Sequence, residues 1–334
     1  MSDRQQPTNA RLIPDRLTSR LKDNLMSWPS LLLVVALLIF LANSLASPYF
    51  LSPWALSDAT FNFTEKAIIA LAMALLIVSG EIDISVSGII AITSTMMGVA
   101  LQFGADTTTL VLVGLSVGLI CGAFNGVLVT KLGLPSIVVT IGTMSLFRGI
   151  SFIILGDKSY KNYPESFAYF GQGYLYWVIS FEFVLYLLLA VGFYILLHKT
   201  NFGRHVFTIG NNAVAAEFSG VRVARVKFVL FCLTGLMAGV AAILLTSRLG
   251  STRPSIARGW ELEVITMVVL GGVNILGGSG SVQGVVIAAF IMGLVTFGLG
   301  LLNVPGIIMS VILGILLITV IALPTLLSKF KNRQ

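Results

Sequence analysis

The chain has 334 residues, of which 56% are hydrophobic and only 10% charged, and its mean hydropathy is +0.96. A soluble domain carries about 25% charged residues, so this composition excludes a soluble globular protein and points to an integral membrane protein. The net charge of +7 is no nucleic-acid signal, because the basic residues stand at the ends of apolar runs, where the positive-inside rule places them.

Residues 1–28 read as a polar tail with Arg4, Arg11, Arg16, Arg20 and Lys22. The apolar run that follows ends in Ser44-Leu45-Ala46, a signal-peptidase-like sequence. It exceeds the roughly 7–15 residues of a signal h-region and reads as an uncleaved anchor. Spans near the ~20 residues that a bilayer needs are predicted at 29–47, 63–80, 84–103, 108–129, 136–156, 176–198, 226–247, 262–276, 282–300 and 304–325. The second, third and eighth are short or broken by glycine and polar residues. Residues 29–325 thus form one all-α, polytopic transmembrane bundle of about ten spans. A basic segment, 199–226, interrupts it, and a polar tail, 326–334, follows it. With both termini in the cytoplasm, two-thirds of the 21 Lys and Arg lie on inside segments. Segments 156–175 and 248–261 then face outward. Cys121 and Cys232 lie within apolar runs and read as packing residues, not as a disulfide.

Glu81 and Asp83 fall between spans two and three, in VSGEIDISVSG. Two readings stand: a gate or ion-pair contact near the cytoplasmic mouth, or Asp83 and Ser85 capping the next helix. A proton relay is disfavoured, because no histidine or second buried carboxylate lies nearby in sequence. In span five, Thr140 and Thr143 share a face. They either line a hydrophilic path or bond to carbonyls of their own helix. Arg148 is deeper than an interface residue should be, and either snorkels outward or contacts a passing polar solute.

Glycines cluster at Gly271-Gly272, Gly277-Gly278, Gly280 and Gly284. Such clusters mark close helix packing or unwound helix ends, and Ser79–Asp83 is a weaker counterpart in the first half, which suggests an internal repeat. Asn274 and Ser279 in this second cluster join Glu81, Asp83, Thr140, Thr143 and Arg148 as candidate residues of a translocation path. Gly278–Gly284 is no P-loop, since no lysine precedes a Ser/Thr, and it reads as a tight turn. Glu261 and Glu263 suit the first turn of span eight, or an external contact. His198 and His205 have no partners at metal-ligand spacing, and no catalytic constellation is present.

Within 199–226, Asn212 to Gly220 reads as a short helix with Asn212 as N-cap and Gly220 as its stop. A helix so short needs a docking surface to persist. Ala213, Ala215, Ala216 and Phe218 offer an apolar knob.

Four stretches together resemble a known family: GEIDIS (80–85), GLPSIVVTIGTMSLFRGI (133–150), FGRHVFTIGNNAVAAEFSGVRVARVK (202–227) and ELEVITMVVLGGVNILGGSGSVQGVVIAAFIMG (261–293). Over roughly 50–325 the chain is similar to permease subunits of bacterial ABC monosaccharide importers of the ribose/xylose/rhamnose type, and within these to rhamnose and autoinducer-2 permeases. It departs from many relatives in having Glu81 and Ser87 where they have glycine. The resemblance implies a multi-pass protein of the bacterial inner membrane. It implies a second permease subunit, identical or paralogous, and a periplasmic sugar-binding protein. A cytoplasmic ATPase with two fused nucleotide-binding domains would hold ATP and Mg, leaving this chain no cofactor. It places ATPase coupling on Asn212, Ala215, Ala216, Glu217, Phe218 and Gly220. The rival reading is an ion-coupled secondary transporter of a small polar solute, favoured only by the glycine-broken segments. An intramembrane enzyme lacks its residues.

Overall fold

The computed structural model describes residues 28–156 and 158–309 and five positions between 311 and 318. The tails 1–27 and 326–334 and half of the expected tenth span lie outside the described residues. In chain order the helices are α1 (Trp28–Ala46), α2 (Pro53–Phe61), α3 (Thr64–Val78), α4 (Val86–Gln102), α5 (Thr107–Thr130), α6 (Ser136–Leu155), α7 (Glu165–Gln172), α8 (Phe181–Lys199), α9 (Asn201–Asn211), α10 (Ala213–Phe218), α11 (Val223–Leu249), α12 (Trp260–Leu270) and α13 (Val282–Leu301). Among the described residues α1, α5, α6, α8, α11 and α13 are each long and apolar enough to cross a membrane, and α2 with α3, bent by 48°, makes a seventh candidate. The apolar α4 stops at 17 residues, and α12 is an 11-residue helix where a span to 276 was expected.

Local chemistry sets these boundaries. Ser52 caps α2, whose first residue is Pro53. Asp106 caps α5 and Ser180 caps α8 through side-chain oxygens. Thr200 ends α8 and caps α9, its hydroxyl oxygen accepting from the Gly203 N–H at 3.2 Å.

Beyond its first residues, Thr64-Glu65-Lys66, helix α3 is apolar all round, and every residue but Lys66 is buried. Such a helix belongs in the centre of a bundle, and α8, α9, α11, α12 and α13 pack against it. Helices α5 and α11 approach backbone to backbone. Gly114, Gly118, Gly122 and Gly126, four apart on one face of α5, meet α11 around Gly235 and Gly239. A Cβ on Gly118 would lie 2.6 Å from the Gly235 carbonyl oxygen.

The segments expected to face outward lie together. β1 (Tyr160–Lys161) pairs antiparallel with β4 (Ser251–Thr252), while β2 (Tyr174–Tyr176) and β3 (Ile179–Ser180) form a hairpin. These ribbons are the departure from an all-α chain, and the hairpin delays the sixth span to Phe181. The Tyr163 hydroxyl bonds to Thr252 beside the first ribbon, and burial pushes its pKa up to about 12.

Candidate functional site

Three helix ends lie at the end of the bundle that the charge bias assigns to the cytoplasm, and all three stop in the same way. Gly80, Gly220 and Gly272 each adopt a positive φ just past α3, α10 and α12. In each case the glycine N–H and the next N–H turn back onto the last carbonyls, as in Glu81 N to Leu76 O (3.2 Å) and Val221 N to Ala216 O (3.1 Å). The two glycine-broken segments then abut. The Gly278 N–H donates to the Val78 carbonyl at 2.9 Å, and a Cβ on Gly277 would lie 3.0 Å from Gly80 Cα. Asn274 folds its own turn, its Oδ1 accepting from the Leu276 N–H at 3.0 Å and its N–H donating to the Ser279 carbonyl at 3.0 Å. Asn274 and Ser279 are exposed, and 271–281 is the turn region between α12 and α13.

The basic segment 199–226 is not an extended connector. It holds α9 as well as α10. Gly203, Val206 and Ile209 are buried on one face of α9, and Arg204, His205 and Thr208 point away. Its last turn rests on the α3 end: a Cβ on Gly210 would fall 1.8 Å from the Val78 carbonyl oxygen, and Asn211 Nδ2 donates to the Gly278 carbonyl at 3.3 Å. Asn212 Oδ1 caps α10 by accepting from the Ala215 N–H at 3.0 Å. On α10, Ala216 is buried and Ala215 and Glu217 are exposed, while Phe218 is 90% and Val214 64% exposed. Lys227, four residues into α11, forms an ion pair with Glu81. The basic segment is therefore tied to the α3–α4 break by a glycine contact, and the start of α11, which follows it, by a charge pair. Glu81→Lys is expected to lower uptake several-fold, with recovery in the swap Glu81→Lys/Lys227→Glu. A swap no better than the single change would show that the pair itself does not matter.

The remaining candidates are dispersed. Asp83 is fully buried, and its Oδ1 accepts from the Ser85 N–H (2.8 Å) and the Ser85 hydroxyl (2.6 Å) just ahead of α4. Thr140 and Thr143 are buried on α6. Their hydroxyls donate to the Ser136 carbonyl at 2.8 Å and the Thr140 carbonyl at 3.4 Å, so they bond along their own helix. Arg148 neither snorkels nor stands free. Its guanidinium donates to the carbonyls of Pro254 (3.0 Å), Ile256 (3.2 Å) and Ser87 (3.1 Å). It pins the segment after β4 to the start of α4, a three-way clamp that suits the planar fork of arginine. Arg148→Ala strands three carbonyls, and Arg148→Lys offers a point charge in place of the fork. Both are expected to reduce uptake at limiting solute while the protein still reaches the membrane. Unchanged uptake in both would reduce Arg148 to an anchor.

Sequence reading missed a buried charge cluster near the opposite end. Glu65 on α3 has no exposed surface and accepts from Arg248 Nε at 2.7 Å. Glu182 on α8 is 1% exposed, with neither oxygen bonded to another of the described residues. Lys66 pairs with Glu263 at 2.6 Å and lies 5.1 Å from the Trp260 ring centroid. Each residue stands at a span end, where charge is ordinary. Only the assembled bundle buries them.

A family described as "Branched-chain amino acid transport system / permease component" matches residues 55–321. Autoinducer 2 import system permease protein LsrD from Salmonella paratyphi B is 36% identical over 296 residues, covering 86% of this chain and 89% of the relative. The LsrD proteins of Enterobacter sp. (33% over 302 residues, 89% and 92% covered) and Yersinia pseudotuberculosis (34% over 296 residues, 87% and 88% covered) are similar to the same extent. The chain belongs to this permease family. It is a permease subunit of an ABC importer and a multi-pass inner-membrane protein, and the ion-driven carrier reading is not favoured. No solved structure matches the permease.

Proposed function

We propose that this permease carries a monosaccharide-like polar solute, of the rhamnose or autoinducer-2 kind, from periplasm to cytoplasm. The family description names amino acids and the relatives name autoinducer 2, so the solute class rests on the relatives and on the four sequence stretches. A periplasmic binding protein delivers the solute, and a second permease subunit, a copy or a paralogue, completes the pore. A cytoplasmic ATPase with two fused nucleotide-binding domains supplies the energy and holds ATP and Mg. The chain itself holds no cofactor and catalyses nothing. The full bundle has ten spans with both termini in the cytoplasm, and the path runs by Glu81, Asp83, Thr140, Thr143, Arg148, Asn274 and Ser279.

The observation that carries this reading is α10. It is capped at both ends and held on α9, yet it presents Val214, Glu217 and Phe218 to its surroundings. A six-residue helix does not hold itself together, and exposed aromatic side chains on a rigid support are what a partner groove binds. Asn212, Ala215, Ala216 and Gly220 build the knob, and Glu217 and Phe218 engage the ATPase. ATP then biases inward against outward states through the docked helices.

Co-purification with a candidate two-domain ATPase, with and without residues 212–220, tests this directly. Capture that needs the helix supports the importer assembly; no capture with the helix intact overturns the partner assignment. Uptake that stops on ATP depletion and survives collapse of the ion gradients separates the importer from an ion-driven carrier.

A further inference from the structure

Asp83 lies in the non-helical stretch between α3 and α4 and has no exposed surface. Its Oδ1 takes the Ser85 N–H and the Ser85 hydroxyl proton. With its proton so used, the Ser85 oxygen accepts from Asn125 Nδ2 at 2.8 Å. Asn125 comes from α5 and is also fully buried. Two acceptors, Asp83 Oδ2 and Asn125 Oδ1, are left buried with no bond to another of the described residues. Both belong to groups that are bonded to the one Ser85 hydroxyl.

The surroundings supply no counter-charge. Glu81, two residues back, is paired with Lys227. From α5 the titratable neighbour is the Cys121 thiol, one turn before Asn125 and itself buried. Helix α6 contributes Ser136 and Thr140 hydroxyls around Ile82. No Lys, Arg or His among the described residues forms an ion pair with Asp83. An ionised carboxylate so placed is costly, and a buried group in this position takes up a proton instead. One proton on Oδ2 removes the charge and creates the donor that Asn125 Oδ1 lacks. A metal ion fits less well, because hard cations take six or more oxygens and only a few are free here.

We infer that Asp83 and Asn125 form a proton-binding site within the α3–α4 break, with Asp83 held in this conformation as a neutral carboxylic acid that shares its proton with the Asn125 amide oxygen. The inference does not depend on which solute is carried.

Infrared difference spectra of the full-length permease in lipid nanodiscs, with and without Asp83→Asn, read the protonation state. The expected result at neutral pH is a carboxylic-acid carbonyl band in the wild type that the variant loses. Identical spectra in that region mean that Asp83 is ionised, and overturn the proposal. Should Asp83→Asn fail to fold, Asn125→Ala provides the second arm: the band is expected to move to higher frequency as the acid loses its acceptor, and a band that stays in place overturns the sharing with Asn125. The same spectra in sodium-free and sodium buffers close the remaining route. A band that sodium abolishes makes the site a cation site and overturns the proton assignment.

Discussion

Gly122→Leu is expected to abolish the folded permease. A Cβ at this position would lie 2.4 Å from the Phe231 carbonyl oxygen and 2.9 Å from Gly235 Cα. Both are backbone atoms of α11, so no side chain can rotate away. Overpacking a core ordinarily costs ~1–3 kcal/mol, and here relief requires two helices to separate along the stripe from Gly114 to Gly126. Lipid offers no hydrophobic drive to hold them together, because acyl chains solvate leucine as well as a neighbouring helix does. Close packing is what the contact provides, and the leucine removes it. Gly192→Leu is the control: nothing lies within 4 Å of a Cβ there, and it is expected to keep the wild-type melting temperature. Thermal unfolding in detergent compares the two. A Gly122→Leu protein that melts with the control would show that the α5–α11 contact does not hold the bundle.

That stripe shows what a hydropathy reading can and cannot reach. The long apolar spans were legible, because α1, α5, α6, α8, α11 and α13 fall on predicted segments. So was the α10 helix, since Asn212 and Gly220 are residue types with specific backbone jobs. Helix α9 was not. Its buried face has only Val206 and Ile209 as sizeable apolar residues, and much of its seating comes from Gly210 against the Val78 carbonyl. A glycine contact adds no hydrophobicity to a window, so only the 212–220 helix was legible within 199–226. Helix α12 ends at Leu270 because Gly272 turns the chain, although Val273, Ile275 and Leu276 continue the apolar run. The candidate path residues were legible as unusual polar groups in apolar spans. Their partners were not: Arg148 reaches carbonyls more than a hundred residues away, and Asn125 finds Ser85 across two helices. Glu65, Glu182 and Arg248 were hidden for the same reason, since burial at a span end is a property of the assembled bundle.

Glu217→Ala/Phe218→Ala is expected to leave the permease folded and abolish uptake. The two side chains contribute nothing visible to the fold. Phe218 is 90% exposed, and Glu217 is exposed and forms no ion pair among the described residues. Neither substitution touches the Asn212 cap or the Gly220 turn, and alanine is the best helix former. The melting temperature should therefore match the wild type. Truncating a central aromatic anchor typically costs a binding interface ~2 kcal/mol or more, which is roughly a thirtyfold loss of affinity for the ATPase. Uptake in proteoliposomes and solute-stimulated ATP hydrolysis should fall together, because both need the same contact. If both stay normal, energy does not pass through α10, and the glycine contact and the Glu81–Lys227 pair would be fastening a helix that no ATPase pulls. If hydrolysis persists while uptake falls, α10 docks as proposed and the break at 79–85 has lost the motion. In that case Glu81 and Lys227 are the next residues along the route from the docked helix to Asp83.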